Sequence, residues 1–221
     1  MTNTRTEFYN ANEAFNYFYK EINENGIQFD NTKALFNVGF TLHNPMNNHI
    51  TSDIRKWNHF YAESEWQWYL SGDPNVEKLG SLYGKIPPIW EKMADAKGEV
   101  RSNYGYQWKR GDQLDFAIKK LKDKKDTRHA LISIFDGKEA NDRYMFDTPC
   151  TCGVHFQVVN EKLNMSVMMR SNDMWYGFPI DQYCFSKLQQ MVAEQVDIPV
   201  GTYYHFATNL HLYEDKLISK I

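Results

Sequence analysis

The chain has 221 residues, 42% of them apolar and 15% aromatic, with a formal net charge of −3. That length and apolar share support a core-forming chain and exclude a disordered one, and with no long basic run no nucleic-acid partner is expected. No window approaches the roughly eighteen uninterrupted apolar residues of a membrane span. The three cysteines form no disulfide framework and the start MTNTRTEFYNANEAF carries no leader pattern, so a cytoplasmic setting is expected.

In chain order, residues 6–24 set Phe8, Ala11, Phe15, Phe18, Tyr19 and Ile22 at helical spacing, and 33–43 carry the β-formers of a strand. A long aromatic-rich helix is predicted over 51–70, opening on a Thr51-Ser52 cap and closed by Ser71-Gly72-Asp73-Pro74. A short helix follows around Pro88–Ala94, then a polar loop, KGEVRSNYGYQW. An amphipathic helix spans 112–123, with KKLKDKKDTRH as its solvated end. Strands are predicted near 129–135, 154–159 and 163–169. A helix with one buried face covers 180–196, and a strand covers 202–213. No repeat or linker interrupts the chain, so one α/β (α+β) domain over 1–221 is expected.

The chemistry-bearing residues are scattered. Cys150 follows a proline in a loop before a strand; it is either a small buried hydrophobe or a thiol activated by a cation, with Arg170 the candidate. Cys150-x-Cys152 lacks a second ligand pair, so no metal is expected. Arg170-Ser171 offers a guanidinium and a hydroxyl suited to phosphate, and Thr127-Arg128-His129 is a second basic spot. His211 and Tyr213, two apart on a strand, share a face. Glu65, inside an aromatic-rich helix, is either solvated or functional.

Their order along the chain carries more than any one of them. SEWQWYLSGDPNV, PPIWEKMAD, SNYGYQW, DTRHALI, TPCTCGVHFQV, LNMSVMMRSNDMWYGFPIDQY and TNLHLY, between residues 57 and 217, together resemble the thymidylate synthase family. The resemblance implies a mixed sheet flanked by helices and a sheet-to-sheet homodimer. It makes Cys150 the nucleophile that adds to C6 of a pyrimidine nucleotide, with methylenetetrahydrofolate as co-substrate and no metal. It places Arg170 and Ser171 on the nucleotide phosphate, and Arg128 on the phosphate of the neighbouring subunit. Glu65 and Tyr104 fall on catalytic positions, Trp90, Asp173 and Gly177 on the folate side, and His211 with Tyr213 on the sugar.

Residue 181 is the informative departure. Where the family's uracil-directed members carry asparagine, this chain has Asp181. An amide matches the edge of uracil, whereas a carboxyl accepts from N4–H of cytosine and can share a proton with N3. A bare helix N-cap is the alternative role for this residue. The aspartate, with KGEVRSNYG and MRSNDMWYGF, is similar to the deoxycytidylate hydroxymethylase branch, in which water attacks the exocyclic methylene. Methylating relatives, acting on dUMP or on a cytidylate, and a degraded nucleotide-binding relative are the alternatives. Other departures are Thr151 after the nucleophile, His129 after Arg128, no counterpart of an N-terminal phosphate arginine except Lys33, and an expected lack of the family's C-terminal tail.

Overall fold

The computed structural model describes residues 6–140 and 147–218, with Glu139 and Ala140 as backbone only. Its strands are β1 (Glu7–Phe8), β2 (Ile27–Phe29), β3 (Thr32–Leu42), β4 (Leu131–Ser133), β5 (Thr151–Val159), β6 (Lys162–Met169), β7 (Asn172–Asp173) and β8 (Val200–Tyr213). Its α-helices are α1 (Ala11–Asn25), α2 (His59–Ser71), α3 (Val76–Tyr83), α4 (Pro88–Met93), α5 (Tyr104–Lys109), α6 (Gln113–Asp123), α7 (Gly137–Ala140) and α8 (Phe178–Val196).

The strands form one mixed sheet in the order β1-β3-β8-β6-β5-β4, with β2 on β3 and β7 on β8. The long β8 is its spine, antiparallel to β3 and parallel to both β6 and β7. Alternation sorts the side chains. Val38, Phe40, Val154, Phe156, Met165, Val167, Tyr203, His205 and Ala207 are buried, on the face where α1 and α8 pack. The opposite face leaves Tyr204, Met168 and Leu131 in part to solvent. Helix α8 is buried nearly all round, from Phe178 and Ile180 to Val192 and Val196.

Most expected elements are present, and the differences have local causes. Residues 51–58 are not helical. The Thr51 N–H donates to Asn12 Oδ1 (2.9 Å) and the Ser52 hydroxyl to Asn16 Oδ1 (2.5 Å), so this pair ties the segment to α1 instead of capping a helix. Helix α2 starts later, with Asn58 Oδ1 accepting from the Tyr61 N–H (3.1 Å). The predicted polar loop contains α5, capped by Asn103 Oδ1 accepting from the Tyr106 N–H (2.7 Å) and held by buried Tyr104 and Trp108. Helix α3, also unforeseen, is capped by Asn75. Residue 181 is not an N-cap: α8 begins at Phe178, and the Asp181 N–H donates to the Gly177 carbonyl (2.9 Å).

Candidate active site

Antiparallel pairing of β5 with β6 aligns Thr151 with Met169, which brings Cys150 beside Arg170. The Arg170 N–H donates to the Cys150 carbonyl (2.8 Å). Its Nε donates to the Pro149 carbonyl (3.0 Å), and one Nη donates to the Thr148 carbonyl (2.7 Å) and reaches Cys150 Sγ at 3.7 Å. The guanidinium thus clamps the loop that presents the thiol. It does not win electrostatically. Burial pushes the Cys150 thiol up to about 11; Arg170 pulls it down, while Asp181 and Asp147 push it further up. Burial thus favours the protonated thiol in the free protein, while Arg170 acts on it in the direction suggested by the sequence.

Asp147 was not foreseen. It accepts from the Ser102 N–H (2.6 Å) and hydroxyl (2.5 Å), tying the Cys150 loop to the segment before α5.

Three helices bring the remaining candidates together. From α2, Glu65 is 4% exposed and accepts from the Tyr69 hydroxyl (2.6 Å) and from Tyr61, whose oxygen also takes the Trp90 indole N–H (2.9 Å). Burial raises Glu65 despite these bonds. From α8, Asp181 accepts from Asn172 Nδ2 (2.7 Å). Its carboxyl is held well above the usual carboxylate range, by burial first and then by the charge of Glu65. From α5, Tyr104 stacks on Phe185 with ring centroids 5.4 Å apart, reaches Thr151, and is raised by burial and by Asp181 and Cys150. A protonatable acid pair, a tyrosine and a thiol therefore share one neighbourhood, a setting for proton transfer beside a nucleophile.

Parallel pairing of β7 with β8 sets Asp173 beside His211. Burial lifts Asp173 to about 6, and its oxygens cap their own turn, accepting from the N–H groups of Trp175 (2.8 Å) and Tyr176 (3.1 Å). Gly177 is a packing position: an added Cβ would lie 3.1 Å from Asn172 Nδ2 and 3.2 Å from Asp181 Oδ2. His211 Nδ1 meets Asn209 Oδ1 at 2.9 Å and its ring stands edge-on to Tyr213, which is itself electrostatically linked to Cys150. Ser171 is half-buried next to Arg170. Arg128 lies exposed on the loop before β4, bonded to none of these groups among the described residues. Lys33 holds the end of α1 through the Asn23 carbonyl.

Arg55 was also not foreseen. Its guanidinium lies 5.9 Å from the Trp175 ring centroid, with Nε and one Nη buried and unpartnered, next to Asp173 and Tyr176. The described residues contain no cluster of three or more His, Cys, Asp or Glu placed to hold a metal, and no described helix is long and apolar enough to cross a membrane.

The fold is similar to that of two solved enzymes. Thermostable thymidylate synthase A from Bacillus subtilis is 24% identical at a TM-score of 0.77, with 92% of this chain and 80% of that one covered. Thymidylate synthase from T4 phage is 25% identical at a TM-score of 0.75, with 90% and 75% covered. The thymidylate synthase family model matches residues 15–219. A sheet that brings Cys150 against Arg170, and helices that converge on the thiol with Glu65 and Asp181, are thus found in a chain that belongs to the thymidylate synthase family.

Proposed function

We propose that this protein transfers a one-carbon unit from methylenetetrahydrofolate to C5 of deoxycytidylate and completes the reaction with water, giving the 5-hydroxymethyl nucleotide. The observation that carries this reading is the Asp181 carboxyl, buried, biased toward its protonated form, and near Glu65 and Cys150. Such a group accepts from the amino group of cytosine and shares a proton with N3. Against uracil its ionised form, or the form with its proton toward N3, meets like with like, a mismatch of about 1–3 kcal/mol or more.

In this reading the Cys150 sulfur bonds to C6 of the pyrimidine, and the C5–C6 π electrons make C5 nucleophilic. The thiol, which burial pushes up to about 11 in the free protein, gives its proton to a water molecule as substrate binds and the sulfur attacks as thiolate. Protonation of the base through Asp181 draws density from the ring and favours attack at C6. Glu65, held by Tyr61 and Tyr69, orders water and moves protons at C5 and its substituent. Arg170 and Ser171 take the phosphate, His211 and Tyr213 the sugar. Arg128 serves the second subunit of a homodimer joined through the open sheet face. Methylenetetrahydrofolate supplies the one-carbon unit when bound. The orphaned donors of Arg55 beside Trp175 and Asp173 suit an anionic, aromatic ligand of that kind, and Trp90 is the further residue expected to meet it.

The competing reading is methylation of uridylate, which the names of the two solved neighbours favour. Incubation with methylenetetrahydrofolate and either dCMP or dUMP, followed by mass measurement of the nucleotide, separates them. A gain of one CH2O on dCMP is expected; a methylated product, or turnover of dUMP alone, overturns the proposal. Asp181→Asn is expected to shift preference toward dUMP by about tenfold or more, and unchanged selectivity removes the base-recognition argument.

A further inference from the structure

Behind Asp181 runs a line of buried polar groups that the reaction above does not use. Asn172 Nδ2 donates to Asp181 Oδ2 at 2.7 Å. Its Oδ1 lies 3.1 Å from His205 Nε2, and His205 Nδ1 lies 3.0 Å from the Tyr203 hydroxyl. Tyr203 and His205 are 0% exposed and Asn172 is 2% exposed. The line exists because parallel pairing of β6 and β8 sets His205 beside Val167, while β7 carries Asn172 alongside the later part of β8.

Buried groups of this kind carry a direction. Among the described residues the Tyr203 hydroxyl bonds only to His205, so it avoids an unpaired buried O–H by donating to Nδ1. The ring is then neutral with its proton on Nε2, which donates to Asn172 Oδ1. Asn172 must in turn present its NH2 to Asp181. Reversing the line would strand the Tyr203 O–H in a dry interior. The neutral ring agrees with its surroundings, since burial pushes His205 down to about 3.

We propose that Tyr203, His205 and Asn172 form a polarised chain that keeps Oδ2 of Asp181 an acceptor and confines any proton on that carboxyl to Oδ1, so that the site selects an aminopyrimidine over an oxopyrimidine. A neutral carboxylic acid can imitate the asparagine amide: with its proton on the oxygen facing O4 it fits uracil, and with its proton on the oxygen facing N3 it fits cytosine. An aspartate alone therefore specifies base poorly. In the proposed pose Oδ2 faces the exocyclic group of the base, so the amide fixed behind it removes one of the two proton positions and leaves Oδ1–H for N3 and Oδ2 for the amino group. Glu65 and Tyr69 from α2, Asp173 from β7, Cys184 from α8, and Cys150 with Tyr104 are the other titratable groups electrostatically linked to Asp181, and none of them bonds to Oδ2 among the described residues. Tyr203, His205 and Asn172 are positioning residues. The inference rests on the reading of Asp181 as the base-recognising group.

Two measurements test it separately from that reading. In the 15N-histidine NMR spectrum of the unliganded protein, His205 is expected as the neutral Nε2–H tautomer throughout pH 5 to 9. An Nδ1–H tautomer, or titration within that range, overturns the chain whatever the substrate. In kinetics, the ratio of kcat/KM for dCMP over dUMP is expected to fall about tenfold in Asn172→Leu and His205→Phe, mainly through gained dUMP turnover. Tyr203→Phe, which removes a single oxygen and spares the fold, is expected to move the ratio in the same direction by a smaller factor. Equal loss on both substrates in all three variants means a structural role only and overturns the proposal. Wild-type turnover of dUMP alone sinks the substrate reading, while the tautomer still decides the chain.

Discussion

The thiol of Cys150 and the ring of His205 are both governed by desolvation, with opposite results. For Cys150, burial outweighs the guanidinium 3.7 Å away and leaves the thiol near 11. On a Cys152→Ser background, iodoacetamide labelling of Cys150 is expected to rise about tenfold per pH unit between about pH 7 and 9, and Arg170→Ala is expected to slow it at fixed pH. A plateau below about pH 8 would mean that Arg170, and not burial, governs the sulfur. For His205, the folded value is about 3 against an ordinary 6.5. The unfolded chain takes up this proton first as pH falls, so the stability tied to the neutral ring is complete above about 6.5 and is lost on descent toward 3, at about 1.4 kcal/mol per unit. The stability advantage of wild type over His205→Phe, from denaturant titrations, is therefore expected to shrink by about 2–3 kcal/mol between pH 6.5 and 4.5. A constant advantage would mean that His205 is not held neutral.

At the level of elements, the site depends on close packing between α2 and α5. Gly105 sits so near α2 that an added Cβ would lie 1.7 Å from the Tyr69 carbonyl oxygen. Gly105→Ala must separate the two helices, displacing Tyr104 from Phe185 and Tyr69 from Glu65 together. A loss of about 3 kcal/mol or more in urea unfolding is expected, with activity falling further than that of any surface variant of α5. Wild-type stability in the variant would show that α5 can slide freely. This contact also explains why α5 was hidden in the sequence. Tyr, Gly and Trp favour a helix weakly, and a six-residue segment survives only because Tyr104 and Trp108 are buried. The opposite error at 51–58 has the same origin: Thr51 and Ser52 find partners on α1, not on a helix of their own.

For the molecule as a whole, the sheet has one face under helices and one face exposing Tyr204, Met168 and Leu131, which are 40%, 40% and 50% accessible. The proposed homodimer places this face against its copy. Sedimentation is expected to give a dimer for wild type and a monomer for the Tyr204→Lys, Met168→Lys double variant, in which two charges would face a dry interface. If Arg128 serves the neighbouring subunit, Arg128→Ala and the double variant mixed in one solution regain activity only to the extent that mixed dimers form. A fully active monomer would overturn both the dimer and the role of Arg128.

Cys150, Arg170, Ser171 and Asp181 were picked out as candidates from the linear sequence because the stretches that carry them, in their order along the chain, resemble the motifs of the family. Period and β-former patterns also revealed α6, α8 and strands β3, β4, β5, β6 and β8, since those patterns follow from local backbone geometry, whereas the short β1, β2 and β7 were not foreseen. Asn172 lies within such a stretch without standing out from it, and nothing local distinguishes His205 or Tyr203 from other half-patterned strand residues. Only the parallel pairings of β6 and β7 with β8 set His205, Asn172 and Asp181 in line. The sequence by itself determined which chemical groups are present and which local elements carry them. The tertiary structure decided their protonation and direction, because desolvation and hydrogen-bond polarity arise only when segments distant in the chain exclude water together.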